Sequence, residues 1–385
     1  MSADSWQVER PTDEDPDAAT FQDLIAQLTT SGWPPLLPRA MVAAAEPAAG
    51  TSASSGSSTF TVMQFNLLAE GLSSPPHVKP PFAAKTQSAY GGFSAVPEPD
   101  VIFDWKVRKL RLLEEVLRYT PDVLVVEECD HFDDMLLPAL RRVGYDGCFA
   151  PKRNSPSLST FGFYSDGTGI LWRTATFTRV ATECSYLPNP DGVPSARPYV
   201  LAALQPVVAT AAAAGSSAAA AAATAPIVVA GTHLSAARGD DAEAERSGQM
   251  THLLDLTAER AASWGCRGVL LCGDLNTDPF DRPWAAARCV PAMLSHNLGL
   301  RSSYALPPNE RALDGQWTSW KRRGDDEIKC CIDYIVHDAA LRTTRVLAPP
   351  DASELEPARL PGRKYPSDHI SLLAELTIVP PPAGA

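Results

Sequence analysis

The sequence has no apolar run long enough to cross a bilayer as a helix, and its first residues carry neither an apolar h-region nor an Arg-rich transit pattern. These absences leave the expectation of a soluble chain in the cytoplasm, without membrane contact. Cysteine is sparse, eight in 385 residues, with no C-x-x-C and no Cys/His spacing of zinc type. The thiols, Cys330 and Cys331 included, therefore read as buried or incidental, and neither a disulfide framework nor a zinc module is expected. Cations are the scarcer charge: 33 Lys and Arg stand against 45 Asp and Glu, for a net charge of −12. Broad nucleic-acid binding needs a basic face, which this balance does not supply. Part of the imbalance is local, because residues 1–23 hold seven carboxylates against Arg10 alone. A polyanionic ligand must then be held by a few local cations and a metal.

What is present is ordinary for a globular chain: 45% apolar and 20% charged residues, long enough to bury a large core. Residues 1–58 start acidic and end rich in Ser, Ala, Gly and Pro, apart from one amphipathic turn at Phe21–Leu28, and read as a poorly ordered tail. A folded unit is expected over 59–379, interrupted by the Ala/Ser low-complexity insertion at about 209–225 and followed by a short tail, 380–385. Between Phe60 and Ile378 short apolar strands alternate with helical patterns. Asp104 is placed to cap a helix over Trp105–Tyr119, which Pro121 stops, and Asp241–Trp264 carries a second helical pattern closed by Gly265. Such alternation predicts an α/β layered fold.

The polar residues that follow these strands carry the chemistry. Val269–Cys272 is an unbroken apolar run that suits a strand buried on both faces, and Gly273 lets the backbone turn into Asp274 and Asn276. Two short polar side chains two residues apart on an extended segment point the same way and can share a ligand. A Ca²⁺ loop of D-x-N-x-D-G type is excluded, since the required Gly is Pro279 and the twelfth position is Ala285. An Asx-turn closing the strand is the structural alternative. Asn66 ends FTVMQFN, Glu127 and Glu128 follow VLVV, His233 follows IVVAGT, Asp333 lies within the strand CCIDYIV that ends at Val336, and Asp368-His369 enters the last strand. A carboxylate next to a buried strand is costly unless solvated, paired or metal-bound.

The ordered set VMQFNLLA, PDVLVVEECDHF, GTHL, LLCGDLNTDPF, CIDYIVH and YPSDHISL resembles the endonuclease/exonuclease/phosphatase superfamily from about Phe60 to Ile378. DWKVRKLRLLEEVL, APKRNSPSL, ERSGQ, YALPP and WTSWKRR are similar to segments of the nocturnin-like members of its catabolite-repressor-type deadenylase group. The resemblance implies a deoxyribonuclease-I-like four-layer α/β/β/α sandwich and a Mg²⁺-dependent attack of water on phosphorus, with Mn²⁺ able to substitute. It implies Glu128 as the principal metal ligand, with Asn66 and Asp368 close to the metal and its waters. Asp274 and Asn276 match the pair that handles the nucleophilic water, His369 oriented by Asp333 matches the active-site His, and His233 matches a phosphate-contacting His. Lys152, Arg323 and Arg238 match substrate-contacting cations.

Two departures stand out. Glu127 occupies a position where the family usually has Gln, which would add a negative charge, and Ser235 replaces an expected Lys. The function implied is removal of the 2′-phosphate of NADP(H); a 3′–5′ exoribonuclease acting on poly(A) RNA 3′ ends is the enzymatic alternative. A catalytically silent binding protein is the alternative of another class, and the complete set of matched positions argues against it. No leucine-rich recruitment array is visible, so docking into a large deadenylase assembly is not expected, and a monomer is.

Overall fold

The computed structural model describes residues 32–44, 59–73, 89–93, 95–158, 165–207 and 225–379, with Ala26 and Thr30. The turn expected at Phe21–Leu28, all but Ala26, and the Ala/Ser insertion up to Thr224 lie outside these residues. The strands are Met41–Ala43 (β1), Thr59–Asn66 (β2), Val123–Glu127 (β3), Tyr145–Pro151 (β4), Gly167–Arg173 (β5), Phe177–Pro188 (β6), Pro194–Pro206 (β7) and Ile227–His233 (β8). Gly268–Asp274 (β9), Arg301–Ser302 (β10), Ser319–Arg323 (β11), Asp326–Cys330 (β12), Asp333–His337 (β13), Leu341–Leu347 (β14) and Leu372–Ile378 (β15) complete the set. The helices that cover them are Trp105–Tyr119 (α1), Asp240–Ser263 (α2) and Cys289–Ser295 (α3).

One sheet has seven strands in the order β1-β14-β15-β2-β3-β5-β4, and the other has six in the order β10-β13-β9-β8-β7-β6. Strand alternation divides their side chains between faces. Val62, Val125, Ile170, Val200, Val229, Leu270 and Ile335 point between the sheets and form one core. Met63, Phe65, Leu124 and Val126 turn outward against Leu110, Leu113 and Val116 of α1. On the other side Val228, Ala230, Val269 and Leu271 pack on Met250, Leu253 and Leu254 of α2 and on Cys289 and Met293 of α3. This is the four-layer α/β/β/α sandwich, and each fully buried aliphatic side chain contributes roughly 1.5–3 kcal/mol to it.

Helix limits follow local chemistry. The Asp104 carboxylate accepts from the Lys106 amide at 3.0 Å and caps α1, while Thr120, at φ 42°, leaves the helix before Pro121. Gly265, at φ 67°, closes the turn after α2.

The structure shortens the expected 1–58 tail. Leu36 and Leu37 are buried, and β1 pairs antiparallel with β14, Met41 opposite Leu347. This three-residue edge strand is lost in the sequence among neighbouring Ala and Pro. The long edge strand β6 and most of the β11–β12 hairpin beyond Trp320 carry no clear strand pattern, because many of their residues are exposed and their apolar alternation is weak. All eight cysteines are free thiols. Among the described residues no helix is long and apolar enough to cross a membrane.

Candidate active site

The inter-sheet core ends in a row of polar side chains because each strand continues its inward alternation one or two residues past its last apolar contact. Val62 leads through Gln64 to Asn66, Val125 to Glu127, Val229 to His233, Leu270 through Cys272 to Asp274, and Ile335 back to Asp333. Register aligns them: Asn66 lies opposite Glu127, while His233, Asp274 and Asp333 form one rank across β8, β9 and β13. Gly273 permits this rank, since a Cβ there would lie 2.2 Å from the Thr232 carbonyl oxygen. Asp368 and His369 arrive from the segment before β15, fixed by Ser319 Oγ donating to the Asp368 carbonyl at 2.7 Å and by Ser367 Oγ donating to the Asn66 carbonyl at 2.7 Å.

The centre is dense and buried. Asn66 Nδ2 donates to Asp274 Oδ2 at 2.9 Å, and the Asn276 amide donates to Asp274 Oδ1 at 2.9 Å. His369 Nδ1 lies 2.8 Å from Asp333 Oδ2, with its Nε2 3.9 Å from both Asp274 and Asp368. Asn276, held at φ 51°, places its Nδ2 2.9 Å from His233 Nε2 and 3.0 Å from the Leu234 carbonyl. Burial and the Asp333 charge push Asp274 up to about 7. Burial alone would lower His369, but the Asp333 and Asp368 charges outweigh it and raise the imidazole to about 9. His233 moves well below its ordinary value, through burial and the nearby Lys152 and Arg197.

Glu127 lies deep in this centre. Gln64 Nε2 bridges Glu127 Oε2 at 2.8 Å and Asp333 Oδ1 at 2.9 Å. Burial and the Asp333 and Asp274 charges raise the Glu127 pKa far above the carboxylate range, so the expected extra negative charge is absent and a neutral carboxyl stands in for the family's amide. Glu128, at φ 50°, turns the chain so that its half-buried carboxylate receives only the Ala69 amide, at 3.4 Å, and has no ion-pair partner among the described residues.

The expected cations divide. Lys152 pairs with Asp166 at 3.2 Å and lies close enough to depress His233. Arg323 Nη2 sits 3.4 Å from Asp368, its guanidinium 4.6 Å from the Phe93 ring centroid. Arg238 touches none of the central side chains; it is exposed, 5.2 Å from the Trp284 ring. Two cations were not expected. Lys321 Nζ reaches Asp368 Oδ2 at 2.6 Å, and Arg197 on β7 donates to the Oγ of Ser235, the residue at the expected Lys position, at 3.3 Å. The signal for Lys321 was available, since it alternates with Arg323 on one face of a strand. Arg197 had none, because strand pairing alone brings it there.

Residues 89–369 match the Endonuclease/Exonuclease/phosphatase family. The chain belongs to the endonuclease/exonuclease/phosphatase family. Nocturnin of Xenopus laevis is 30% identical over 327 residues, spanning 84% of this chain and 74% of the relative. The human Nocturnin catalytic domain with bound sulfate superposes with a TM-score of 0.60 at 24% identity, covering 89% of this chain and 97% of that one. ANGEL2, a 2′,3′-cyclic phosphatase, in complex with adenosine-2′,3′-vanadate, gives 0.63 at 19% identity, over 89% and 99%. The two structural likenesses concern the fold; the family match and the Xenopus relative place this member of the endonuclease/exonuclease/phosphatase family in its nocturnin-like phosphohydrolase and deadenylase group. It is a phosphoester hydrolase.

The family depends on a divalent metal, and the donor chemistry here fits a hard cation. Asp274, Asp333 and His369 bring ligand atoms within 4.8 Å of one another. Within that group His369 Nδ1 is committed to Asp333, so the oxygens of Glu128 and Asp274 are the better candidates, while Asn66 contacts Asp274 through Nδ2 and its Oδ1 accepts from the Leu68 amide. Glu128 has no cation paired with it among the described residues, and Asp274 is raised partly by the Glu128 charge; a divalent ion held there would relieve both. Asp368, expected near the metal, instead has its carboxylate gripped by Lys321 and Arg323, whose charges hold it below the usual range although burial opposes them.

Proposed function

We propose that this chain hydrolyses the 2′-phosphate of NADP(H) to NAD(H) and phosphate, with Mg²⁺ or, as a substitute, Mn²⁺. The observation that carries this reading is the convergence of Lys321 and Arg323 on Asp368 at one buried centre, with Lys152, paired to Asp166, and Arg197, bonded to Ser235, near enough to His233 to lower its pKa. Two cation pairs about one centre suit a compact ligand with a terminal phosphate and a pyrophosphate. A long RNA track needs an extended row of cations and stacking faces. The sulfate bound by human Nocturnin and the adenosine vanadate bound by ANGEL2 are also small tetrahedral or nucleotide ligands.

In this reading Asp274, oriented by Asn66 and the Asn276 amide, takes the proton of the attacking water. His369, kept protonated and aligned by Asp333, donates to a phosphoryl oxygen, while Asn276 Nδ2, donating to His233 Nε2 and to the Leu234 carbonyl, fixes the orientation of the neutral His233 ring. A divalent ion at Glu128 supplies charge neutralisation at the phosphoryl group when bound. The bond from water oxygen to phosphorus forms as the bond to the 2′-oxygen breaks, and the leaving 2′-oxygen takes a proton from solvent to become the hydroxyl. Product analysis with purified chain, Mg²⁺, NADP(H) and oligoadenylate tests this: NAD(H) and phosphate are expected in equal amounts. Shortening of oligoadenylate without phosphate release from NADP(H) overturns it in favour of the ribonuclease.

A further inference from the structure

A groove of about 520 Å³ runs outward from Asn276, Lys321 and Arg323 to Arg238, Arg282 and Trp284. Its outer end is built with care around an aromatic face. Trp284 is 46% exposed and is the sole aromatic among the exposed large hydrophobic side chains of the described residues. It projects from a turn closed by two backbone hydrogen bonds, the Arg282 amide to the Ala285 carbonyl at 2.9 Å and the Ala285 amide to the Arg282 carbonyl at 3.2 Å. Arg282 is fully engaged, donating to Asp278 at 2.7 Å, Glu310 at 2.7 Å and the Lys329 carbonyl at 2.9 Å, and its guanidinium braces the indole from 5.6 Å. Arg238 differs. It has no hydrogen-bond or ion-pair partner among the described residues, and its guanidinium rests over the same ring, 5.2 Å from the centroid, from where it is free to turn to an incoming phosphate.

A rigidly mounted, half-exposed indole beside an unpaired guanidinium, at the far end of a groove that begins at the catalytic centre, has the chemistry of a nucleotide subsite. The indole offers a flat face for a heteroaromatic ring, and the guanidinium offers forked donors to a phosphate. We propose that Trp284 stacks the ring of the second nucleoside of the dinucleotide while Arg238 binds the pyrophosphate that leads to it. This rests on the NADP(H) reading for the reacting phosphate and adds the subsite that selects a dinucleotide over a mononucleotide.

Steady-state kinetics on NADPH and on adenosine 2′,5′-bisphosphate, which lacks the second nucleoside, test the subsite in purified full-length chain. Trp284→Ala is expected to raise KM for NADPH about tenfold with little change in kcat and to leave KM for the bisphosphate as in wild type, with Trp284→Phe recovering most of the loss. A parallel titration of NADPH without divalent ion, read by energy transfer from tryptophan to the reduced nicotinamide, is expected to show the same loss of affinity. An unchanged KM for NADPH in a folded variant, or an equal rise for both substrates, overturns the subsite. Tight, Trp284-dependent binding of NADPH by a wild-type chain that never hydrolyses it would sink the proposed reaction and leave the subsite standing; no binding at all would sink both.

Discussion

Lys321 Nζ lies 2.6 Å from Asp368 Oδ2 across 47 residues, which puts a lysine from the β11–β12 hairpin in the middle of an acidic site. The Asp368 carboxylate is 2% exposed and its other cation, Arg323, is 3.4 Å away and half in solvent.

Removing Lys321 strands a buried charge. Lys321→Ala is expected to destabilise the fold by roughly 3 kcal/mol and Lys321→Arg by less. Lower kcat/KM by about 10–100-fold is also expected for the Ala variant, since Asp368 is adjacent to His369. The pH dependence has a defined sign. Asp368 titrates lower folded than unfolded, so its contribution is complete above an unfolded pKa of about 3.9 and fades as pH falls toward the folded value. Urea unfolding of both proteins at pH 7 and in acid should show the gap between them narrowing below about pH 4.

Glu127 tests whether the neutral carboxyl mimics an amide. Its folded pKa is raised by burial and by Asp333, so wild type loses stability as pH rises above the unfolded glutamate value of about 4.3. Glu127→Gln is expected to keep activity within about threefold and to be more stable than wild type at pH 8, since 1 pKa unit corresponds to about 1.4 kcal/mol. A large loss of turnover would show that the Glu127 proton is used in the reaction.

Glu128 separates function from stability. Its φ of 50° is a left-handed conformation that glycine adopts without the Cβ penalty. Glu128→Gly is expected to match or exceed wild-type thermal stability by up to about 1 kcal/mol while metal-dependent turnover falls more than about 100-fold. Thermal melting and NADP(H) turnover on the same preparation decide it, and turnover within tenfold of wild type would remove Glu128 from the metal site.

His131 predicts an alkaline transition. Its Nδ1 lies 2.6 Å from Asp134 and its Nε2 2.8 Å from Glu70, and the ring stacks on Trp105 at 4.4 Å. Burial works against the charge, but the two carboxylates raise the imidazole to about 10. A raised histidine contributes fully below an unfolded pKa of about 6.5 and loses that contribution as pH climbs through the folded value. Wild type should therefore lose a few kcal/mol relative to His131→Gln between pH 6 and pH 10.5, measured by urea unfolding. Parallel pH profiles for the two proteins would show that the imidazole is neutral.

The sequence by itself determined the strand-end character of the site and the extent of its main helices. Val269–Cys272 followed by Gly273 and Asp274, or Asp104 before a helical run that ends at Pro121, are local facts: a period of two or of 3.6, a cap, a residue that cannot continue the helix. The family motifs added the layer order, because the same polar residues close the same strands. Tertiary structure alone decided which charges survive. Lys321 meets Asp368, Arg197 fills the place beside Ser235, and Glu127 loses its charge next to Asp333, each through neighbours that strand register and loop closure bring from far along the chain. Desolvation and Coulomb energies depend on the distances so created. No spacing in the sequence encodes those distances. The same holds for Trp284, which follows Pro283 and precedes three alanines in the sequence and gains its place only where Arg282, braced by Asp278 and Glu310, sets its ring at the outer end of the groove.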